Sequence, residues 1–175
     1  LYLTKPIDSA DLNGLTIRTT PVYQAMFQSL GGNLVRTAPG DVYTALERGT
    51  IDGYGWPAQG VLDLGWDEQT KYRVDPGFYQ VDVDIIVNLD TRNGLDDAQK
   101  DLLQRGIEWI EAKNADNAQI NKDEFAKQAE AGIETISLDG AERDKWLTAA
   151  QEEGWAAIAA VDADNAKKLR ACLTE

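Results

Sequence analysis

The chain has 175 residues, 43% hydrophobic and 27% charged, which fits one ordinary globular domain or two small lobes. Thirty acidic against 17 basic side chains give a net charge of −13, which argues against a nucleic-acid partner and favours solubility. No histidine is present, so Ser-His-Asp and Cys-His sites and ordinary zinc sites are excluded within this chain.

The opening LYLTKPID is neither an initiator methionine nor a signal peptide, so the chain is expected to be a processed protein or the latter part of a longer one. LTIRT (15–19) alternates as a strand, with Leu15, Ile17 and Thr19 on one face. Pro21 then opens a predicted helix, with Val22, Ala25, Met26 and Leu30 on one side and Gly31-Gly32 as its stop. NLVRTA (33–38) reads as a second strand, 39–48 as a second helix, and 51–56 as a third strand. Strand, helix, strand, helix, strand with short connections predicts a parallel α/β sheet, whose ligands bind beyond the carboxyl ends of the strands. Arg18 and Trp56 fall at two of those ends.

Residues 57–73 read as a short helix and a loop. VDVDIIVNL (81–89) alternates as a further strand, with Asp82 and Asp84 on its wet side. NLDTRNG (88–94) reads as a turn, because Arg92 stands where a calcium loop needs an oxygen ligand. Residues 95–132 read as one long helix, opened by acidic residues and closed by Gly132, with an apolar stripe at Leu102, Leu103, Ile107 and Ile110. Such a helix would be roughly 50 Å long, more than one small lobe covers, so it is expected to pack on two lobes and cross between them at its polar middle near Asn114. GIETISL (132–138) reads as a strand. Asp139 and Glu142 read as a capping box for a helix to about Trp155, and DADN (162–165) as a turn into a terminal helix ending near Cys172. Cys172 is the single cysteine and cannot form an internal disulfide. No run of 18 apolar residues is present to span a membrane.

Two features invite a binding role. Arg18 carries a planar guanidinium that can hold a carboxylate through two parallel hydrogen bonds, or can form a structural ion pair. Arg36 offers the same chemistry at the second strand. In GTIDGYGWPAQG (49–60) the glycines admit a close-lying backbone or a ligand, and Pro57 restricts Trp56 to an extended backbone. Trp56 is then either a core tryptophan or a cleft wall. Phe78 and Tyr79 either line the same cleft or pack at a lobe junction.

DLNGLTIRT, PVYQAMFQSLGG and GDVYTALERGTIDGYGWP, followed by VDVDIIVNLD, the long helix and GIETISLDGAERDKW, resemble in order and spacing the substrate-binding proteins of TRAP (tripartite ATP-independent periplasmic) transporters. The resemblance covers essentially the whole chain. It implies an α/β fold like that of periplasmic binding proteins, with two lobes, crossing strands and a long helix over both. This chain would be one lobe plus crossing elements: a ligand-binding lobe over 1–75, a hinge-crossing strand and long helix over 76–131, and a strand and helices packing back over 132–175. It implies a periplasmic, non-catalytic protein that captures a small organic acid anion and delivers it to integral-membrane permease subunits. By the same resemblance Arg18 clamps the carboxylate, Trp56 walls the ligand, and Tyr54, Phe78, Tyr79 and Gln80 contribute, with residues 81–89 as hinge pivots. Some relatives hold a cation with a glutamate at the position of Gly55 and a carboxylate at that of Gln80, so no metal and no cofactor is expected here. The rival readings are an α/β enzyme on a small acid with Asp52, Asp82 or Asp84 as base, and a ligand-gated sensor module.

Overall fold

The computed structural model describes residues 1–80 and 83–173. Its centre is one six-stranded sheet built from β1 (Tyr2–Leu3), β2 (Thr16–Arg18), β3 (Asn33–Val35), β4 (Gly53–Tyr54), β5 (Tyr72–Asp75) and β6 (Glu134–Ser137), in the order β3-β2-β4-β1-β5-β6. β2 runs parallel to both β3 and β4, with Arg18 opposite Val35 and Tyr54. β1 alone runs against its neighbours, with Tyr2 opposite Tyr54 and Arg73. β5 and β6 are parallel. Because β1 opposes both β4 and β5, those two share a direction, and the chain leaves β2, β3, β4 and β5 on one edge of the sheet.

The predicted strand–helix alternation is present from β2 to β4, and the elements it missed are β1 and β5. Both are short and flanked by prolines, lysines and turns, so neither carries a readable alternation. Their two-residue and four-residue lengths suffice because the sheet encloses them on both sides.

Side chains alternate across the sheet with the period of two that strands impose. Leu3, Ile17 and Val74 join one core with Met26 and Phe27 of α1 (Gln24–Ser29) and Trp146 of α6 (Gly140–Val161). Tyr2 and Tyr54 join the other with Val42 and Leu46 of α2 (Pro39–Glu47) and with Trp66. Pro39 stands at the start of α2, where its missing N–H costs nothing. Gly49 beyond its end has φ +65°, a conformation that favours glycine. Val22 is a correction: it lies in the turn before α1 and is exposed, because the helix begins at Gln24.

The strand expected over 81–89 is also corrected. Val81 and Asp82 lie outside the described residues. Residues 83–88 form no strand, Ile86 is 91% exposed, and Asn88 caps the short helix α3 (Leu89–Asn93). Alternation marks one apolar side, but a strand also needs backbone partners, and none of the six strands pairs with this segment.

The long helix is present in two parts. α4 (Asp97–Lys113) and α5 (Asn117–Glu130) flank a 3₁₀ turn at Asn114–Asp116, and the dihedrals at Lys113, Asp116 and Asn117 stay right-handed helical. The tightened turn falls where the apolar stripe fades. A capping box of Asp96 and Gln99 starts α4. None of its residues is buried, whereas α5 is fastened to the sheet. The capping box expected at Asp139 and Glu142 is not formed; the Glu142 carboxylate instead accepts a 2.7 Å hydrogen bond from the Ala10 N–H, tying α6 to the loop before β2. α6 runs on to Val161, and Asp162 then accepts from the Asn165 N–H at the start of α7 (Ala163–Leu173). Among the described residues no helix is long and apolar enough to cross a membrane.

Candidate functional site: a buried arginine at the carboxyl edge

Arg18 ends β2 and is only 4% exposed. Among the described residues no carboxylate pairs with it, in a chain that carries 30 of them. Its own hydrogen bonds are long: Nε to the Thr37 carbonyl at 3.3 Å, Nη1 to the Tyr23 hydroxyl at 3.3 Å, and Nη1 to the Gly55 carbonyl at 3.5 Å. These sit at or beyond the weak end of hydrogen-bond geometry. Nη2 donates to no described residue. A buried charge held only by neutral dipoles is costly unless an anion completes it. The guanidinium therefore has a fixed plane, a free nitrogen and an unmet charge, which suits a carboxylate.

Trp56 lies over this group, with its ring centroid 5.5 Å from the guanidinium carbon, a cation–π distance. Its other neighbour is Trp66, edge-to-face at 4.7 Å. Trp56 remains half-buried, so part of the indole meets solvent. The indole Nε1 also lies 3.1 Å from where a Gly60 side chain would begin, so a residue larger than glycine there would press on it.

The glycines of GTIDGYGWPAQG acquire specific causes. A Cβ at Gly53 would lie 2.4 Å from the Tyr2 carbonyl oxygen, so Gly53 is required by the close approach of β1. A Cβ at Gly55 would lie 2.5 Å from Tyr23 Cε2. The Tyr23 ring occupies that space, donates its hydroxyl to the Gly55 carbonyl at 2.8 Å, and receives Arg18 Nη1. The space beside Gly55 is thus filled by protein, and a glutamate there would collide with Tyr23.

The other predicted residues separate. Tyr54 is fully buried, its ring stacked on Tyr2 at 5.3 Å and its hydroxyl 2.8 Å from Thr70 Oγ1, so it belongs to the core and not to the cleft edge. Burial pushes its ionisation well above the ordinary tyrosine value, despite the opposing Thr70 hydrogen bond. Phe78 packs edge-on against Tyr23, Phe27 and Trp146 and is a core contact at the rim. Tyr79 is half-buried beside Tyr23, its phenol pushed up to about 12 by burial and by the Tyr23 hydroxyl, with the Arg18 charge acting the other way. It therefore stays protonated and can donate a hydrogen bond. Gln80 follows it and is exposed. Arg36 is exposed and bonded to Gln24 Oε1, away from any buried role.

Among the described residues, the carboxylates of the enzymatic alternative, Asp52 and Asp84, do not form an acid/base pair. Asp52 accepts Lys5 Nζ at 2.6 Å and the Thr16 N–H at 2.9 Å, which joins the loop after β1 to β2. Burial tends to raise its ionisation, but the bonds from Lys5 and Thr16 and the Lys5 charge hold it below the ordinary carboxylate range. Asp84 is exposed, and Asp82 lies outside the described residues.

Sequence reasoning missed Tyr23 and the Thr37 carbonyl. Tyr23 sits in the turn just past the carboxyl end of the arginine's own strand, a placement that could have flagged it. The Thr37 carbonyl carries no side-chain signal at all.

Residues 3–160 match the sequence model of the bacterial extracellular solute-binding proteins, family 7. The chain belongs to that family. Its fold also matches solved structures of TRAP periplasmic solute-binding proteins. One from Desulfovibrio salexigens, with bound orotic acid, is 22% identical with a TM-score of 0.77, over 96% of this chain and 55% of that one. One from Pseudomonas putida F1, with bound D-glucuronate, is 25% identical with a TM-score of 0.76, over 99% and 57%. One from a marine metagenome, specific for aromatic acid ligands and in complex with metahydroxyphenylacetate, is 20% identical with a TM-score of 0.75, over 99% and 60%. This family-7 chain therefore spans 55–60% of the length of these structures.

Proposed function

We propose that the chain is the larger part of a periplasmic solute-binding protein that captures a small organic acid anion and hands it to the membrane permease subunits of a TRAP transporter. The single observation that carries this reading is the buried Arg18 guanidinium without a carboxylate partner among the described residues. In the proposed complex the ligand carboxylate takes Nη2 and supplies the missing charge. Trp56 walls the ligand body, the Tyr79 hydroxyl donates to it, and Gln80 lies at the rim. Tyr54 and Phe78 support these groups from the core.

Residues 1–75 are read as the ligand-binding lobe, 76–131 as the passage to a second lobe, and 132–175 as the return. The exposed apolar residues of α4, among them Leu102, Trp109 and Ile110, support a second body over that half of the helix, while α5 stays on the lobe described here. Capture then follows from closure of the two bodies over the cleft. No catalytic group is assigned.

The test is mass spectrometry of small molecules released by denaturing the intact protein. Wild type is expected to release an organic acid, and Arg18→Ala to release none or at least tenfold less, since a charge-assisted pair contributes about 1.5–3 kcal/mol. Arg18→Lys is expected to fall short as well, because an ammonium cannot reproduce the fork. Equal retention by Arg18→Ala refutes the assignment.

A further inference from the structure

The segment that carries Trp56 is poorly tied to the sheet. After the Gly55 N–H donates to the Arg18 carbonyl, residues 56–59 make no backbone–backbone hydrogen bond among the described residues. The segment is held from elsewhere. Gln128 of α5 is fully buried, a rare state for a glutamine and one that requires its amide to be satisfied. Its Nε2 donates to the Ala58 carbonyl at 2.7 Å, two residues past Trp56. Its Oε1 accepts the Tyr2 hydroxyl at 3.2 Å, and that hydroxyl also lies 3.4 Å from the Pro57 carbonyl. Farther out, Gln59 donates to Asn121 of the same helix at 2.8 Å.

We infer that Gln128 is a positioning residue for the anion site, clamping the Trp56–Ala58 segment to the long helix so that the helix sets where the indole sits over Arg18. The inference rests on the reading of Trp56 as a ligand wall. A merely space-filling role is better served by leucine or methionine, which avoid burying an amide. The two hydrogen bonds go to two separate elements, the backbone of the Trp56 segment at Ala58 and the side chain of Tyr2 on β1, so one residue of α5 reaches both. The helix also continues through Asn114–Asp116 into α4, so a shift of the helix moves the wall of the site.

The experiment needs no ligand, so it can fail while the assignment of Arg18 stands, and the release assay can fail while this one succeeds. The intact protein is labelled with 5-fluorotryptophan, and the Trp56 fluorine line is assigned as the one lost in Trp56→Phe. Gln128→Met keeps the volume and removes both hydrogen bonds. It is expected to shift or split the Trp56 line, and with it that of the neighbouring Trp66, while the Trp109 line stays fixed. Gln128→Glu is expected to show a wild-type Trp56 line in acid, where the protonated carboxyl can donate to Ala58, and a displaced line once it ionises. A residue with only a packing role would lower the melting temperature in Gln128→Met without moving the Trp56 line. That result in folded Gln128→Met overturns the inference. If the variants do not fold, the wild-type side-chain amide protons decide. Exchange of the Gln128 amide as fast as that of exposed Gln119 overturns it, and at least tenfold slower exchange supports it.

Discussion

Gly55→Ala tests the coupling between the Trp56 segment and the arginine cradle. The backbone of Gly55 does not lie in the left-handed region, so alanine carries no conformational penalty and the whole effect is steric. The new Cβ would stand 2.5, 2.6 and 2.8 Å from Tyr23 Cε2, Cζ and Oη. Ordinary carbon contacts lie at about 3.5–4.0 Å, so the ring must retreat by about 1 Å. It has little room, because Phe27, Phe78 and Tyr79 stand at centroid distances of 5.2, 5.6 and 5.4 Å. Overpacking of this kind costs about 1–3 kcal/mol. Displacing the hydroxyl from the Gly55 carbonyl adds about 0.5–1.5 kcal/mol. We expect a total loss of roughly 2–4 kcal/mol in urea unfolding at an unchanged m-value. Tyr23→Leu removes the three atoms that the Cβ would meet. In that background Gly55→Ala should cost under about 1 kcal/mol, so the double-mutant cycle should show a coupling of at least about 1 kcal/mol. Additive costs would refute the assignment of Gly55 to the Tyr23 ring. The binding consequence is separate: if Arg18 holds an acid as proposed, Gly55→Ala should also lower acid retention in the release assay, because Tyr23 helps to hold Arg18.

Tyr54→Phe should cost about 0.5–1.5 kcal/mol in stability through loss of the Thr70 hydrogen bond, and leave ligand retention unchanged by the release assay. Asp52 is held below the ordinary carboxylate range, so its contribution is fully present above the unfolded value and is lost as pH falls through the folded one. Asp52→Asn should therefore flatten the acid limb of a stability–pH profile, and an unchanged limb would count against the Lys5–Asp52–Thr16 latch. Trp109, 65% exposed, should be readily quenched by acrylamide in this chain and shielded in a two-lobed protein. Equal quenching in both would remove the second body from α4.

What was legible in the sequence followed from strong local signals. Alternation, Pro39 and the paired glycines fixed β2, α1, β3 and α2 to within a few residues, because periodicity and stop signals are local properties. β1 and β5 were not legible, since two to four residues carry no period and owe their conformation to neighbours distant in sequence. The misread segment 83–88 shows the converse. Its alternation is real, yet a strand also needs backbone partners, and none of the six strands pairs with it. At the site, the residues alone left Arg18 open between a carboxylate clamp and a structural ion pair, and the resemblance implied the clamp; among the described residues the ion pair is absent. Of its supports, Tyr23 carried a positional signal just past the carboxyl end of β2, whereas the Thr37 carbonyl acts through backbone geometry that no spacing encodes.

Gly53 and Gly55, which flank Tyr54, show one expectation met at the first position and given a different occupant at the second. The glycines of residues 49–60 were expected to admit a close-lying backbone or a ligand. The visitors are the Tyr2 carbonyl at Gly53 and the Tyr23 ring at Gly55. This bears on the ligand directly. With Tyr23 filling the space at Gly55 and receiving Arg18 Nη1, the proposed ligand carboxylate would be left with the Nη2 side of the guanidinium. Tyr23→Phe keeps the ring against Gly55 and removes only the hydroxyl. It should therefore spare the packing while freeing Nη1, and weaken acid retention less than Arg18→Ala does. If Tyr23→Phe abolishes retention as fully as Arg18→Ala, the hydroxyl itself contacts the ligand, and the approach from the Nη2 side is wrong.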